Sequence, residues 1–170
     1  MTTAQNDMFG HVAPDDVDDN TTASDTWLTP RWLLDALGSV DLDPCSDPSR
    51  HTPAARHLVG IEGDDGLAEP WRGRVFCNPP YSRGSLPIWA AKCVDSLPRC
   101  DWIVLLIPAA VGTKYWHDLI WTQASMVGFP RGRLDFGGND SPSFDSAAVL
   151  FGNHPAFVSK TMQRIRWIRP

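Results

Sequence analysis

The stretch Asn78-Pro79-Pro80-Tyr81 sets a carboxamide, two rigid imino acids and a phenol side by side, directly after the apolar run Val75-Phe76-Cys77. These residue types suit the activation of a planar amine. An aromatic amine is a weak nucleophile because its lone pair is delocalised into the ring. Two acceptors placed on its hydrogens draw the nitrogen toward a tetrahedral geometry and stabilise the positive charge that develops as it attacks an electrophile. Asn78 Oδ1 is one candidate acceptor. The main-chain carbonyl of Pro79 is the other, aimed rigidly because the proline ring fixes φ and a residue before proline is held extended. Tyr81 offers a flat face on which a base rotated out of a duplex can stack. Preorganised groups of this kind commonly lower a barrier by a few kcal/mol. A Pro-Pro dipeptide is also ordinary turn punctuation after a strand, so the remaining chain must support the reading.

The elements that would position this tetrapeptide follow from periodicity and stop signals. Thr29-Pro30 reads as a cap with a proline in the first turn of a helix running through Leu34 to Leu37, which Gly38 ends. Val40 to Asp43 is a short strand ending in carboxylates. Thr52-Pro53 predicts a second cap and a brief helix to about His57. Arg74 to Cys77 is a strand leading into Asn78, and Ser85 is the expected cap of the next helix. Trp102 to Ile107 is continuously apolar and rich in Ile, Val and Leu, as in a central parallel strand covered on both faces. A helix is expected around Tyr115 to Trp121, strands near 125–129 and 147–151, a further strand at 133–136, and a loop over 137–146. Alternation of this kind predicts an α/β domain whose ligands lie beyond the carboxyl ends of the strands. The polar clusters after Leu42 and after Cys77 both fall at such ends.

The chain has 170 residues, room for one compact domain, and no apolar run long enough to cross a bilayer. Its net charge of −5 is unevenly spread. Residues 1–26 hold six Asp and no Lys or Arg, whereas the rest carries 14 acidic and 15 basic side chains. The chain therefore divides into an acidic, disordered lead over residues 1–26 and a near-neutral folded domain over 27–170. Removal of the lead is expected to leave folding and turnover nearly unchanged. The four cysteines (Cys45, Cys77, Cys93 and Cys100) form no CxxC pair, and the five histidines lack ligand spacing. They read as reduced, buried thiols with no metal site.

Further motifs stand in order along the chain: Trp27-Leu28-Thr29-Pro30, Asp41-Leu42-Asp43-Pro44-Cys45 and Asp64-Asp65-Gly66-Leu67. Trp71 and Gly73 precede Asn78-Pro79-Pro80-Tyr81-Ser82, followed by Trp89 with Lys92. Leu105 to Ala109, Gly132 to Phe136 and Phe151 complete the set. Over residues 27 to 151 this ordered set resembles the small phage-type DNA N6-adenine methyltransferases, the phage Dam family.

The resemblance implies a compact α/β, Rossmann-like methyltransferase fold with S-adenosylmethionine as methyl donor and adenine in double-stranded DNA as acceptor, the target base flipped out. It implies a bacterial cytoplasmic setting of phage or prophage origin. The catalytic residues would be Asn78, Pro79, Pro80 and Tyr81. Trp27, Thr29, Pro30, Asp43, Pro44, Cys45 and Asp65 would lie at the cofactor, with Thr29 and Pro30 at its methionine end, Asp43 on its ammonium group and Asp65 on its adenine amino group. Glu62 or Asp64 would serve the ribose hydroxyls. The first strand is followed by Asp43-Pro44-Cys45-Ser46-Asp47-Pro48 where many methyltransferases carry a glycine-rich turn. Only 34 residues separate Asp43 from Asn78, so one strand–helix unit is expected to be shortened or missing. Arg83, Lys114, Arg131 and Arg133 are candidate DNA contacts. The tail residues Lys160, Arg164, Arg166 and Arg169 could touch the DNA backbone or form an amphipathic closing element. A short recognition site is expected, since there is no room for a separate recognition domain. The tetrapeptide alone also suits cytosine N4, an RNA amine or a protein glutamine, and a catalytically silent DNA-binding module is the alternative of another class.

Overall fold

The computed structural model describes residues 28–82, 84–137 and 142–170. The acidic lead, Trp27, Arg83 and positions 138–141 of the expected loop lie outside the described residues.

Helix α1 (Arg31–Leu37) forms where the Thr29-Pro30 signal places it, but its cap is main-chain. The Pro30 carbonyl accepts from the amides of Leu33 and Leu34 at 2.9 and 3.3 Å, while the Thr29 hydroxyl is engaged elsewhere. Leu33, Leu34 and Leu37 recur at helical spacing and are buried. Gly38, at φ 75°, then turns the chain in a conformation that a Cβ disfavours.

Among the described residues seven strands form one sheet: β1 (Val40–Asp43), β2 (Ala54–His57), β3 (Gly73–Cys77), β4 (Cys100–Pro108), β5 (Met126–Pro130), β6 (Ser146–Gly152) and β7 (Ile165–Ile168). Their order is β2-β1-β3-β4-β6-β5-β7. The first four are parallel, β6 is antiparallel to β4 and β5, and β7 is antiparallel to β5. The carboxyl ends of β1 to β5 therefore share one edge with the amino ends of β6 and β7. Asp41 and Arg74 lock β1 to β3 beneath that edge. The guanidinium donates to both carboxylate oxygens at 2.6 and 2.8 Å, and the Arg74 amide donates a third bond. Arg74 holds the Asp41 carboxyl down at about 2.

Strand β4 shows why both faces are covered. Ile103, Leu105 and Ile107 pack beneath α2 (Ser85–Ser96) and the π-helical turn Trp116–Ile120, whereas Trp102, Val104 and Leu106 pack beneath α1 and α4 (Pro155–Thr161). The two-residue alternation of a strand serves two cores here, so the sequence reads as one apolar run. Among the described residues no helix is long and apolar enough to cross a membrane.

Three expectations are corrected. The segment after Thr52-Pro53 is strand β2, paired in parallel with β1, where a brief helix was expected. Residues 133–136 form no strand; Leu134 and Phe136 are buried as an irregular segment over the α1 side of the sheet. Ser85 is the first residue of α2 and not its cap; its hydroxyl donates back to the carbonyls of Pro80 and Ser82 at 2.6 and 2.9 Å. The tail forms α4 and β7. Between β1 and β3 the chain makes one strand, a 3-10 turn at Gly60–Glu62 and no α-helix.

Candidate active site

The site begins where β1 ends. Asp43 is 4% exposed. Its carboxylate accepts from the Cys45 amide at 3.2 Å and from the Thr52 hydroxyl. Burial outweighs these bonds and pushes the carboxyl up to about 6. The Asp43 carbonyl accepts from the Leu58 amide at 2.9 Å, and the Leu58 carbonyl accepts from the Ser46 amide at 2.9 Å, so the β1–β2 loop is held to the chain after β2. The Ser46 hydroxyl bonds His57 Nδ1 at 2.9 Å. Gly66 packs against this loop so closely that a Cβ there would lie 1.8 Å from the Pro44 carbonyl oxygen.

These segments enclose a cavity of about 380 Å³, within the range of small-molecule sites. Leu28 and Thr29 form one wall, Asp43 to Pro48 the floor, His51, Thr52, Val59 to Ile61 and Asp64 to Gly66 the far side, and Asn78, Pro80 and Trp89 the remainder. Asp64 accepts from the Val59 amide at 2.9 Å and so ties the far side together. Asp65 Oδ1 caps the following turn, accepting from Leu67 and Ala68 at 2.9 and 3.2 Å. Glu62 pairs with Arg50 at the surface.

Strand β3 delivers Asn78 to the same cavity. Its Nδ2 donates to Thr29 Oγ1 at 3.2 Å, and its Oδ1 accepts from the Tyr81 hydroxyl at 2.7 Å. The amide is thus gripped at both ends. The phenol oxygen also lies 3.4 Å from the Leu106 carbonyl. Burial raises the Tyr81 hydroxyl well above its ordinary range and keeps it a neutral donor. Its ring meets Phe144 edge to face at 5.4 Å. Pro79 is buried beside Asn78, and the Pro80 carbonyl is held by Ser85. Cys77 Sγ lies 3.6 Å from Cys45 Sγ, and burial raises both thiols.

The structure brings Thr29, Asp43, Pro44, Cys45, Asp65, Asn78 and Pro80 to one cavity. Pro30 starts α1, and Pro79 and Tyr81 stand beside the cavity without lining it. Trp27 and Arg83 lie outside the described residues. Lys114 follows β4 and pairs with Asp118; Arg131 and Arg133 are exposed after β5. Sequence reasoning missed Ser46, His51 and Thr52. Their signal was a run of small polar and titratable side chains directly beyond a strand end. His51 matters most, because its Nε2 lies 3.1 Å from the Thr29 carbonyl and closes the wall that holds Asn78.

A seven-stranded α/β sheet that joins a buried carboxylate after β1 to an Asn-Pro-Pro-Tyr turn after β3 has the make-up of an enzyme acting on an amino nitrogen. The chain belongs to the family described as DNA N-6-adenine-methyltransferase (Dam), which it matches over residues 18–163. The match extends beyond the resemblance at both ends, into the acidic lead and through α4. A search of curated proteins gave no match. The protein is accordingly a DNA adenine-N6 methyltransferase, with DNA as substrate. The methyl donor of such enzymes is in general S-adenosylmethionine.

Proposed function

We propose that the cavity lined by Asp43 binds S-adenosylmethionine and that the chain methylates N6 of an adenine rotated out of duplex DNA on a Rossmann-like frame. The single observation that carries this is the convergence of Asp43 and Asn78 on one cavity of about 380 Å³. The residues present fit the cofactor. Asp43 is a buried carboxyl whose acidity is suppressed by desolvation, and a cation beside it offsets that cost. Gly66 leaves the Pro44 carbonyl room that a side chain would fill. Thr29, Pro44 and Cys45 border the same floor. Asp65 Oδ1 is committed to the turn, which leaves Oδ2 for an amino group.

When bound, the cofactor supplies a methyl group on a sulfonium centre, a strong electrophile. The chain's own part is to hold the amine. Asn78 Oδ1 accepts one N6 hydrogen, and the Pro79 carbonyl accepts the other. The two acceptors localise the nitrogen lone pair and stabilise the charge that grows on it. Thr29 and Tyr81 fix the amide so that this acceptor needs no reorientation during reaction. No strong base is needed, because the methylated, cationic nitrogen loses its proton readily. The Tyr81 ring, braced by Phe144, is the surface against which the displaced base rests.

The test is nucleoside mass spectrometry on methylation-free DNA incubated with protein and S-adenosylmethionine. N6-methyladenine formed by the wild type and not by Asn78→Ala supports the proposal. N4-methylcytosine, or cofactor binding with no methylated nucleoside, overturns it.

A further inference from the structure

The arginines of this protein divide by side of the sheet. Toward the β2 and α1 flank, four are neutralised by a carboxylate (Arg31 by Asp35, Arg50 by Glu62, Arg56 by Glu69 and Arg74 by Asp41), while Arg72, at the amino edge before β3, has no carboxylate pair among the described residues. On the β5–β7 flank the pattern reverses. Arg131, Arg133 and Arg164 are exposed, and among the described residues none of them pairs with a carboxylate. Asp135, the nearest acid along the chain, instead accepts from the Gly137 amide at 2.8 Å.

Two of these arginines, Arg131 and Arg164, are also tied to the frame. Arg131 and Arg133 follow the carboxyl end of β5, and Arg164 directly precedes β7, which runs antiparallel to β5. All three therefore stand on the edge that carries Asn78. The Arg131 amide donates to the Arg164 carbonyl at 2.8 Å, joining the two segments. The Arg164 guanidinium lies over the Trp32 ring, 5.0 Å from its centroid. Stacking of this kind orders an arginine while leaving its donors free for phosphate. Four strand steps separate β3 from β7, about 19 Å at ordinary spacing, a span comparable to the width of a duplex.

We propose that the DNA lies along the carboxyl edge from Asn78 toward β7, with Arg131, Arg133 and Arg164 as backbone-phosphate contacts that position the duplex. The proposal rests on duplex DNA being the substrate. It sends the DNA away from β2, where the cations are already paired, and gives the C-terminal segment a share in docking. Contacts of this type set register and affinity and carry no sequence information themselves.

The experiment is fluorescence anisotropy of a labelled duplex titrated with full-length protein across a KCl series. The triple variant Arg131→Ala/Arg133→Ala/Arg164→Ala is expected to bind at least roughly tenfold more weakly and to lower the salt slope by roughly 2 to 3. Its affinity for S-adenosylmethionine by calorimetry should match the wild type. The control Arg56→Ala/Arg99→Ala, on the β2 and amino-end sides, should keep both affinity and slope. If circular dichroism shows the triple variant misfolded, Arg133→Glu alone is read instead, with weakened binding expected. A wild-type slope in the arginine variant, or an equal loss in the control, overturns the docking proposal. A wild-type protein with no salt-dependent DNA binding overturns the duplex reading itself, and is recognised because the loss is present before any substitution.

Discussion

The Tyr81 hydroxyl donates to Asn78 Oδ1 at 2.7 Å, so the aromatic residue of the tetrapeptide orients its amide partner three positions earlier. Tyr81→Phe keeps the ring and removes this donor. The Asn78 amide then loses one of the contacts that choose its rotamer, the Thr29 contact remaining. Loss of one neutral hydrogen bond of about 1 kcal/mol predicts a kcat lower by roughly five- to tenfold, with cofactor affinity unchanged. Asn78→Ala removes the acceptor itself and should lower kcat by roughly two orders of magnitude or more. Single-turnover methylation with saturating DNA checks both. A Tyr81→Phe rate equal to the wild type would show that the amide is held without the Tyr81 hydroxyl.

In the proposed cofactor site, Asp43 would link binding to pH. Its folded-state value of about 6 lies above the ordinary 3.8, because burial penalises the carboxylate. The stabilising contribution of the neutral form is complete below 3.8 and is lost as pH rises through 6. For the cofactor-free protein this amounts to about 3 kcal/mol at neutral pH. Asp43→Asn should therefore raise the melting temperature relative to wild type at pH 8 and not at pH 4. A cofactor ammonium requires the ionised carboxylate, so wild-type affinity for S-adenosylmethionine should fall about tenfold per pH unit below 6. The asparagine variant should bind weakly with little pH dependence. Calorimetry from pH 5 to 8 decides it, and parallel profiles for the two proteins would remove Asp43 from the ammonium site.

Much of this arrangement was legible in the sequence where local signals and tertiary demands agree. Pro30 and Gly38 bound α1, and the doubly buried run of β4 left few alternatives. Strand β2 was misread because Thr52-Pro53 resembles a helix start. Its Ala-Ala-Arg-His residues lack a buried stripe, since an edge strand with half-open faces needs none. The tail carried a strand period in Ile165, Arg166 and Trp167, but only pairing with β5 distinguishes that from an amphipathic helix end. Leu134 and Phe136 alternate like a strand yet simply lie on the core. In the site, Asp43 and Asn78 announced themselves by position after apolar strands. The Thr29–Asn78 contact spans 49 residues, and only the packing of α1 against the sheet creates it.

Gly66 is required by contact with Pro44 more than by its own turn. In Gly66→Ala the new methyl would sit 1.8 Å from the Pro44 carbonyl oxygen and 3.0 Å from the Trp89 ring, so the loop after β1 must shift. Overpacking of this kind costs about 1–3 kcal/mol, which for a chain of this length lowers the melting temperature by roughly 2–12 °C. Because Pro44 and Gly66 both line the cavity, cofactor affinity should fall with it. Thermal denaturation with and without S-adenosylmethionine measures both effects. A variant with wild-type melting and full ligand-induced stabilisation would show that the loop yields at no cost.

Asp65 has two roles to separate, since one oxygen caps a turn while the residue also borders the cavity. Asp65→Asn retains an acceptor for the Leu67 and Ala68 amides and removes the charge. Asp65→Ala removes both. If the carboxylate also meets an amino group of the cofactor, the two variants should differ in stability and agree in binding. The alanine variant should lose about 1 kcal/mol, or roughly 2–4 °C in melting temperature, while the asparagine variant melts with the wild type. Both should bind S-adenosylmethionine roughly tenfold more weakly, the scale of one hydrogen bond to a charged group. Wild-type affinity in Asp65→Asn would confine Asp65 to the turn and leave the adenine amino group to another residue on the far side of the cavity.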